Sequence, residues 1–219
     1  PLILHTKKNT VKKICYLFIA IAILAIPASA QNDANAKKIL DAVSARLKTY
    51  KGVSANFTLI SKNRTGKLTN NVAGKISIKG NKYYIKQGST EIFNDGNKTW
   101  NYNGNDEVTV TSSDEDKEAL TPQRLLTNFY DNDFTYKLVS SNGNFHEIEM
   151  VPTDKRKNFK KVNIFVDKAK MIVTKARVVD KSNNTADFNL SNIITNASIA
   201  DNTFVFNAKK YKKAIEVIE

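Results

Sequence analysis

The sequence predicts an α+β domain in which a large curved antiparallel sheet is covered by an N-terminal helix and a short inserted helix. Residues 72–111 form short segments with alternating apolar and polar residues, separated by turn signals such as Asp95-Gly96 and Asn103-Gly104. More strand-like segments follow residue 134, and two other segments have helical spacing. No linker or repeat interrupts residues 31–219, which predicts one domain of that extent.

Residues 1–30 have the pattern of a cleaved secretory signal peptide. Two lysine pairs precede an apolar run at residues 14–26, and Ala28-Ser29-Ala30 provides the cleavage motif. A retained membrane anchor is the alternative, although the run is short for a membrane-spanning helix. Cys15 lies inside this run, so the exported chain has no cysteine for a disulfide or a thiol nucleophile.

The chain is strongly basic. Its formal net charge is +13, and +9 remains after removal of the four lysines in the signal peptide. For an exported protein this charge favours an anionic membrane surface or an acidic partner over nucleic acid, and a merely solvated surface is an equal alternative. The basic residues cluster in two segments: Lys155, Arg156, Lys157, Lys160 and Lys161 in the first, and Lys209, Lys210, Lys212 and Lys213 near the C-terminus.

The first helix is predicted over residues 36–50, where apolar residues recur every three or four positions. Asp33 or Asn35 can cap its start, and Gly52 lies where a helix often ends. A strand at residues 54–61 follows, and residues 63–71 are predicted to be a polar connection. A helix with one apolar stripe must cover something, and the sheet is the large candidate.

Five strands are predicted between residues 72 and 111, joined as a meander. Val72, Gly74, Ile76 and Ile78 alternate with polar residues, and the stretch includes the only tryptophan, Trp100. One face of the sheet is therefore expected to be apolar and aromatic. The five strands are predicted at residues 72–79, 83–85, 91–93, 99–102 and 107–111.

A second helix is predicted over residues 121–130, with Thr121 as N-cap and Pro122 at its first position. This helix has Leu125, Leu126 and Phe129 on one side. It is expected to be either an ordinary cover for the sheet or a mobile lid over a pocket. Strands are then predicted at residues 135–140, 145–151, 161–167, 172–179, 185–193 and 204–207.

The sequence lacks recognisable catalytic and metal-binding motifs. The exported chain has a single histidine, His146, on an apolar strand, and the acidic residues 114–118 lack the spacing of a calcium loop. We therefore predict no enzyme, no metal and no cofactor. A hydrolase acting through paired carboxylates is the weaker alternative, with Glu91, Asp95, Asp106, Glu107, Glu147 and Glu149 as the available acids.

The sequence resembles the periplasmic outer-membrane lipoprotein carrier family, LolA, loosely over most of residues 31–219 and closely over residues 74–110. The matching features are the D-G-x-x-x-W-x-Y pattern from Asp95 to Tyr102 and the P-x-x-L-L pattern beginning at Pro122. The resemblance implies an incomplete β-barrel whose apolar interior carries lipoprotein acyl chains through the periplasm. It also implies an inner-membrane release complex, an outer-membrane acceptor and transient membrane contact, with a monomeric carrier. The family commonly has Arg-Pro where this chain has Gly80-Asn81, so the family's way of opening is not carried over.

The first functional prediction is a carrier that shuttles lipoproteins from the inner to the outer membrane. A periplasmic domain of the same fold that senses lipid or lipoprotein, or acts as an adaptor, is the alternative. Burial of an acyl chain of about sixteen carbons is worth up to about 12 kcal/mol, so a carrier must bury it incompletely to release it. The predicted cavity and lid residues are Phe57, Ile76, Ile78, Ile92, Trp100, Tyr102, Val108, Leu125, Leu126 and Phe129. Each of them could equally belong to a dry core.

Overall fold

The computed structural model describes residues 32–112 and 133–218. One α-helix, α1 (Ala34–Thr49), precedes all the strands. Within the described ranges the strands are β1 (Val53–Lys62), β2 (Leu68–Lys79), β3 (Lys82–Gln87), β4 (Thr90–Asn94), β5 (Lys98–Tyr102), β6 (Glu107–Ser112), β7 (Phe134–Ser140), β8 (Phe145–Pro152), β9 (Phe159–Asp167), β10 (Ile172–Asp180), β11 (Thr185–Thr195) and β12 (Glu216–Ile218). Two short 3₁₀ helices, Asp201–Phe204 and Ala208–Lys210, lie between β11 and β12.

These strands form a single sheet in the order β12-β6-β5-β4-β3-β2-β1-β11-β10-β9-β8-β7. All neighbours are antiparallel except β12, which lies parallel to β6. The two meanders are joined through β1 and β11, where Phe57 lies opposite Leu190. The sheet does not close on itself, so the predicted α+β class with a large open antiparallel sheet is confirmed. The predicted helix at residues 121–130 lies outside the described residues.

The strand predictions between residues 72 and 111 are confirmed, but the predicted connection at residues 63–71 and the predicted strand at residues 204–207 are wrong. Strand β2 begins at Leu68, because the turn is confined to residues 63–67, where the Asn63 side chain accepts hydrogen bonds from the backbone amides of Thr65 and Lys67. Residues 204–207 do not form a strand, and Phe204 instead ends a 3₁₀ helix.

Helix α1 begins where the sequence places its cap. The Asp33 side chain accepts hydrogen bonds from the backbone amides of Asn35 and Ala36, and its other oxygen accepts one from Leu138 on β7. The C-cap of the helix is Tyr50, so Gly52 does not have that role. Gly52 is instead a close-approach position, because a Cβ there would lie 2.7 Å from the carbonyl oxygen of Ala197.

The face of the sheet on which α1 lies is called the inner face. Helix α1 packs mainly against β7 and β10. Cross-strand pairing places Leu59, Phe188, Ala176, Ile164, Ile148 and Leu138 in one row across this face. Together with Leu40 and Val43 of the helix, these strands enclose one continuous apolar core. The opposite face is called the outer face. Its residues on β7 to β11 carry polar and charged side chains, including the Arg177–Asp187 ion pair at 2.6 Å.

Candidate functional site

Four of the predicted cavity residues come together on the inner face. Ile76 pairs with Ile85, and Ile85 pairs with Ile92, so these three side chains form a row across β2, β3 and β4. Phe57 and Ile78 lie beside this row on β1 and β2, and both are buried. The result is an apolar wall made by the first half of the sheet.

Phe57 is the centre of this wall. Its ring stacks on Phe188 of β11 with the ring centroids 5.4 Å apart. A neighbouring glycine, Gly74, makes room for this ring, because a Cβ at that position would lie 2.6 Å from two ring carbons of Phe57. The same Cβ would lie 2.3 Å from the carbonyl oxygen of Lys86, which is backbone and cannot rotate away. Any side chain at Gly74 therefore displaces the wall.

Part of the inner face is only half-buried. Ile92, Val178, Phe188 and Leu190 pack against the core, but each keeps some solvent exposure. Phe188 and Leu190 lie on β11 directly opposite Leu59 and Phe57, so they extend the apolar wall along the junction of the two halves. Aromatic and aliphatic surface of this kind can bind an apolar chain without any covalent chemistry. The alternation of Phe188 and Leu190 in the sequence already contains this signal, but neither residue was among the predicted site residues.

Three other predicted residues lie on the outer face. Trp100 pairs with Phe93, and Tyr102 pairs with Val108, whereas Ile92 of the wall pairs with Asn101. The structure therefore does not bring Trp100, Tyr102 and Val108 into one site with Phe57. Because alternate residues of a strand point to opposite faces, the two sets are separated by the thickness of the sheet.

Tyr102, together with its outer-face neighbour Phe93, is instead covered by the C-terminal segment, residues 199–218. Phe206 and Tyr211 of this segment stack on each other with centroids 5.4 Å apart. Tyr102 lies 4.4 Å from the Tyr211 ring, and Phe93 lies 5.8 Å from the Phe206 ring. At its start, Asp201 forms ion pairs with Lys79 at 3.2 Å and Lys82 at 3.0 Å. Aromatic packing and these contacts attach the segment to β2 through β6.

A buried carboxylate lies under this segment. Glu91 is 8% exposed and accepts hydrogen bonds from the Tyr84 hydroxyl, from the Tyr211 hydroxyl at 2.5 Å, and from Lys86 Nζ at 3.1 Å. Burial alone would raise the pKa of Glu91, but the three donors outweigh it, and the pKa lies below its ordinary value. Burial and the Glu91 charge raise the pKa values of Tyr84 and Tyr211. This cluster holds the C-terminal segment by a charge-assisted contact that the sequence did not predict.

The remaining predicted site residues, Leu125, Leu126 and Phe129, lie outside the described residues. His146 lies on the inner face of β8, in line with Val166, and its Nδ1 is 2.8 Å from the Ser141 hydroxyl. Burial, and the nearby charge of Lys168, lower its pKa.

In residues 32–112 and 133–218, no group of three His, Cys, Asp or Glu side chains is placed to hold a metal ion. Those same ranges contain no helix with the length and apolar character needed to cross a bilayer.

The described residues thus form an open antiparallel sheet whose apolar inner face is partly exposed, an arrangement suited to a binding domain. The sequence profile of the family described as outer membrane lipoprotein carrier protein LolA matches residues 48–207. The chain belongs to this family. A comparison with curated protein sequences finds no match.

Solved structures with a similar fold have low sequence identity to this chain. An uncharacterised conserved protein from Thermus thermophilus is 13% identical, with a TM-score of 0.56 over 84% of this chain and 98% of that one. An outer membrane lipoprotein-sorting protein domain from Vibrio parahaemolyticus is 16% identical, with a TM-score of 0.47 over 76% of this chain and 94% of that one. A LolA superfamily protein from Nitrosomonas europaea is 13% identical, with a TM-score of 0.45 over 78% and 97%.

Proposed function

We propose that this protein is a periplasmic carrier that binds the acyl chains of lipoproteins on its inner face and shuttles them from the inner to the outer membrane. The observation that carries the proposal is the apolar wall around Phe57, which continues into the half-buried Phe188 and Leu190. Membership of the lipoprotein carrier family supports the same cargo.

Incomplete burial of this wall suits a carrier. Each buried CH₂ is worth about 0.8 kcal/mol, so full enclosure of an acyl chain would make release too slow for transport. A wall that already packs against the core on one side and is partly open on the other provides moderate affinity. The chemistry is transfer by contact alone, with no bond made or broken in the cargo.

Binding is tested with a fluorescent fatty acid added to the purified full chain. Leu190→Gln places an amide on the wall, and we expect its affinity for the probe to fall about tenfold from the loss of apolar contact. Val139→Gln is the matched control, because Val139 lies on β7 next to inner-face Leu138 and is 49% exposed. Equal affinities for both variants and the unmodified protein would remove the wall from the binding site.

Transport is tested by lipoprotein release from spheroplasts. A carrier releases newly made lipoproteins into the soluble fraction, and Leu190→Gln reduces this release in proportion to its lost affinity. The alternative, a lipid-sensing or adaptor domain, predicts that the probe binds but that no lipoprotein is released. A stable complex with an inner-membrane signalling protein would then favour that alternative.

A further inference from the structure

Three hairpin turns meet at one end of the sheet. They are the β1–β2 turn at residues 63–67, the β8–β9 turn at residues 153–158 and the β10–β11 turn at residues 181–184. The Arg64 backbone amide donates to Asn184 Oδ1 at 3.1 Å, and the Lys181 amide donates to the Asn158 carbonyl oxygen at 3.3 Å. Lys181 Nζ also donates to the Lys155 carbonyl oxygen at 2.9 Å. These contacts make the three turns one continuous surface, here called the basic end.

The basic end concentrates positive charge. Among the residues that the structure describes, the acids at this end are Asp133, Asp154 and Asp180, and Asp154 is paired with Arg156 at 2.8 Å. That ion pair lowers the pKa of Asp154 to about 2, so its charge persists at any physiological pH. Seven cations of the described turns accompany these three acids: Arg64, Lys67, Lys155, Arg156, Lys157, Lys160 and Lys181. Lys62, which ends β1, is instead close enough to Asp187 for its charge to lower the pKa of that carboxyl.

Three of these cations have no acidic partner among the described residues: the side chains of Arg64, Lys67 and Lys155 are exposed and make no ion pair there. Leu68, which follows Lys67, is 52% exposed at the same end. Unpaired cations beside an exposed apolar side chain match the interface of an anionic bilayer, which offers phosphate groups outside and acyl carbons below.

The other basic cluster does not have this excess. Lys213 reaches Asn105 at 2.7 Å, in the turn between β5 and β6. The neighbouring residues Asp106, Glu107 and Glu216 supply almost as many negative charges as the four lysines supply positive ones, since β12 pairs with β6 at Glu107. The two clusters therefore differ in net charge although their lysine contents are similar.

We propose that the basic end is a membrane-docking surface that binds anionic phospholipid headgroups. Flexible lysine side chains suit this partner, because mobile headgroups are bound by charge attraction and do not require a fixed hydrogen-bond geometry. The surface is formed by turns and the proposed acyl-binding wall by inner-face side chains, so this inference does not depend on the identity of the cargo.

The test measures how much of the purified full chain sediments together with lipid vesicles. One set of vesicles is phosphatidylcholine alone, and the other contains about 30% phosphatidylglycerol, enough to give a strongly negative surface potential. We expect the protein to bind the anionic vesicles at least tenfold more tightly than the neutral ones, with the difference lost at high salt. No difference between the two vesicle types would overturn the proposal.

A matched pair of variants locates the surface. The variant R64Q/K67Q/K155Q/K160Q removes four charges from the basic end, and K209Q/K210Q/K212Q/K213Q removes four from the C-terminal cluster. Each cation near an anionic surface is worth about fivefold in affinity, so the first variant should lose at least tenfold and the second less than threefold. Equal losses would show that total charge alone matters, and binding of an acidic protein without vesicle binding would also overturn the proposal.

Two further readouts keep the result interpretable. Circular dichroism and thermal unfolding should be unchanged in both variants, because all eight side chains are exposed. The fluorescent fatty acid should bind both variants normally in the absence of vesicles. Loss of vesicle binding with normal probe binding is the expected result for R64Q/K67Q/K155Q/K160Q, whereas failure of probe binding in the unmodified protein would count against the carrier proposal alone.

Discussion

Replacement of Glu91 by alanine should release the C-terminal segment from the outer face. The carboxylate accepts hydrogen bonds from Tyr84, Tyr211 and Lys86, and of these only Tyr211 belongs to the segment. Without the carboxylate the Tyr211 hydroxyl loses its charged acceptor. The Tyr211 ring keeps its contacts with the rings of Phe206 and Tyr102. The segment is then held by aromatic packing and by Asp201.

The expected loss of stability follows from the exposure of each donor. A hydrogen bond to a charged group is worth about 1.5–3 kcal/mol when buried, and Tyr84 and Tyr211 are half-buried, so each contributes the lower end of that range. Lys86 has a side chain that is 50% exposed, and its ion pair adds less than about 1 kcal/mol. The free energy of unfolding should therefore fall by about 3–4 kcal/mol.

Urea unfolding measures this change, and trypsin reports on the segment itself. Lys209, Lys210, Lys212 and Lys213 offer cleavage sites within it, and we expect cleavage there to accelerate in Glu91→Ala before the remainder of the domain is cut. Glu216→Ala is the control, because Glu216 is an exposed acid on β12 in the same region. Similar stability and similar cleavage rates in the two variants would show that Glu91 does not hold the C-terminal segment.

Three related predictions follow from the same contacts. Gly74→Ala should lower the free energy of unfolding by about 1–3 kcal/mol, because its methyl group meets Phe57 and the Lys86 carbonyl, whereas Ala73→Val on the exposed side should change it little in urea unfolding. Tyr211→Phe keeps the ring contacts and should lose about 1.5 kcal/mol, and a loss as large as that of Glu91→Ala would contradict the assigned role of the hydroxyl. Because the pKa of Glu91 is lower in the folded state, the unfolded state binds the proton first, so its stabilisation is present at neutral pH and is lost as pH falls through the folded pKa. Unfolding measured from pH 7 down to pH 3 should show a shallower decline in Glu91→Gln than in the unmodified protein.

Much of the fold could be predicted because local signals agree with the final structure. Alternation and turn residues locate β2 through β6, and Asp33 caps α1 as its position indicates. The prediction failed at residues 204–207, where Phe204 and Phe206 alternate as in a strand. Phe204 is instead buried at the end of a 3₁₀ helix, and the Phe206 ring packs on Phe93, so neither residue enters the hydrogen-bonded ladder. Which of these arrangements forms depends on tertiary contacts.

The site could be predicted only in part, because a strand's alternation identifies two faces but does not say which one is inside. Ile92 and Phe93 are neighbours in sequence, yet Ile92 joins the inner wall and Phe93 packs under the C-terminal segment. Trp100 and Tyr102 follow Phe93 through the cross-strand register. The aromatic signal in this stretch is therefore divided between a binding wall and the attachment of the C-terminal segment, and both faces of the sheet are apolar here.

The most direct test of the proposed carrier function is to find where a bound acyl chain lies. A photoactivatable fatty acid is incubated with the purified full chain, crosslinked by light, and its attachment sites are read by mass spectrometry. If the inner face binds the acyl chain, we expect adducts on inner-face residues of β1 and β11, such as Phe57, Leu59 and Leu190. Adducts concentrated at Tyr102 and Val108 on the outer face, or no saturable labelling at all, would contradict it.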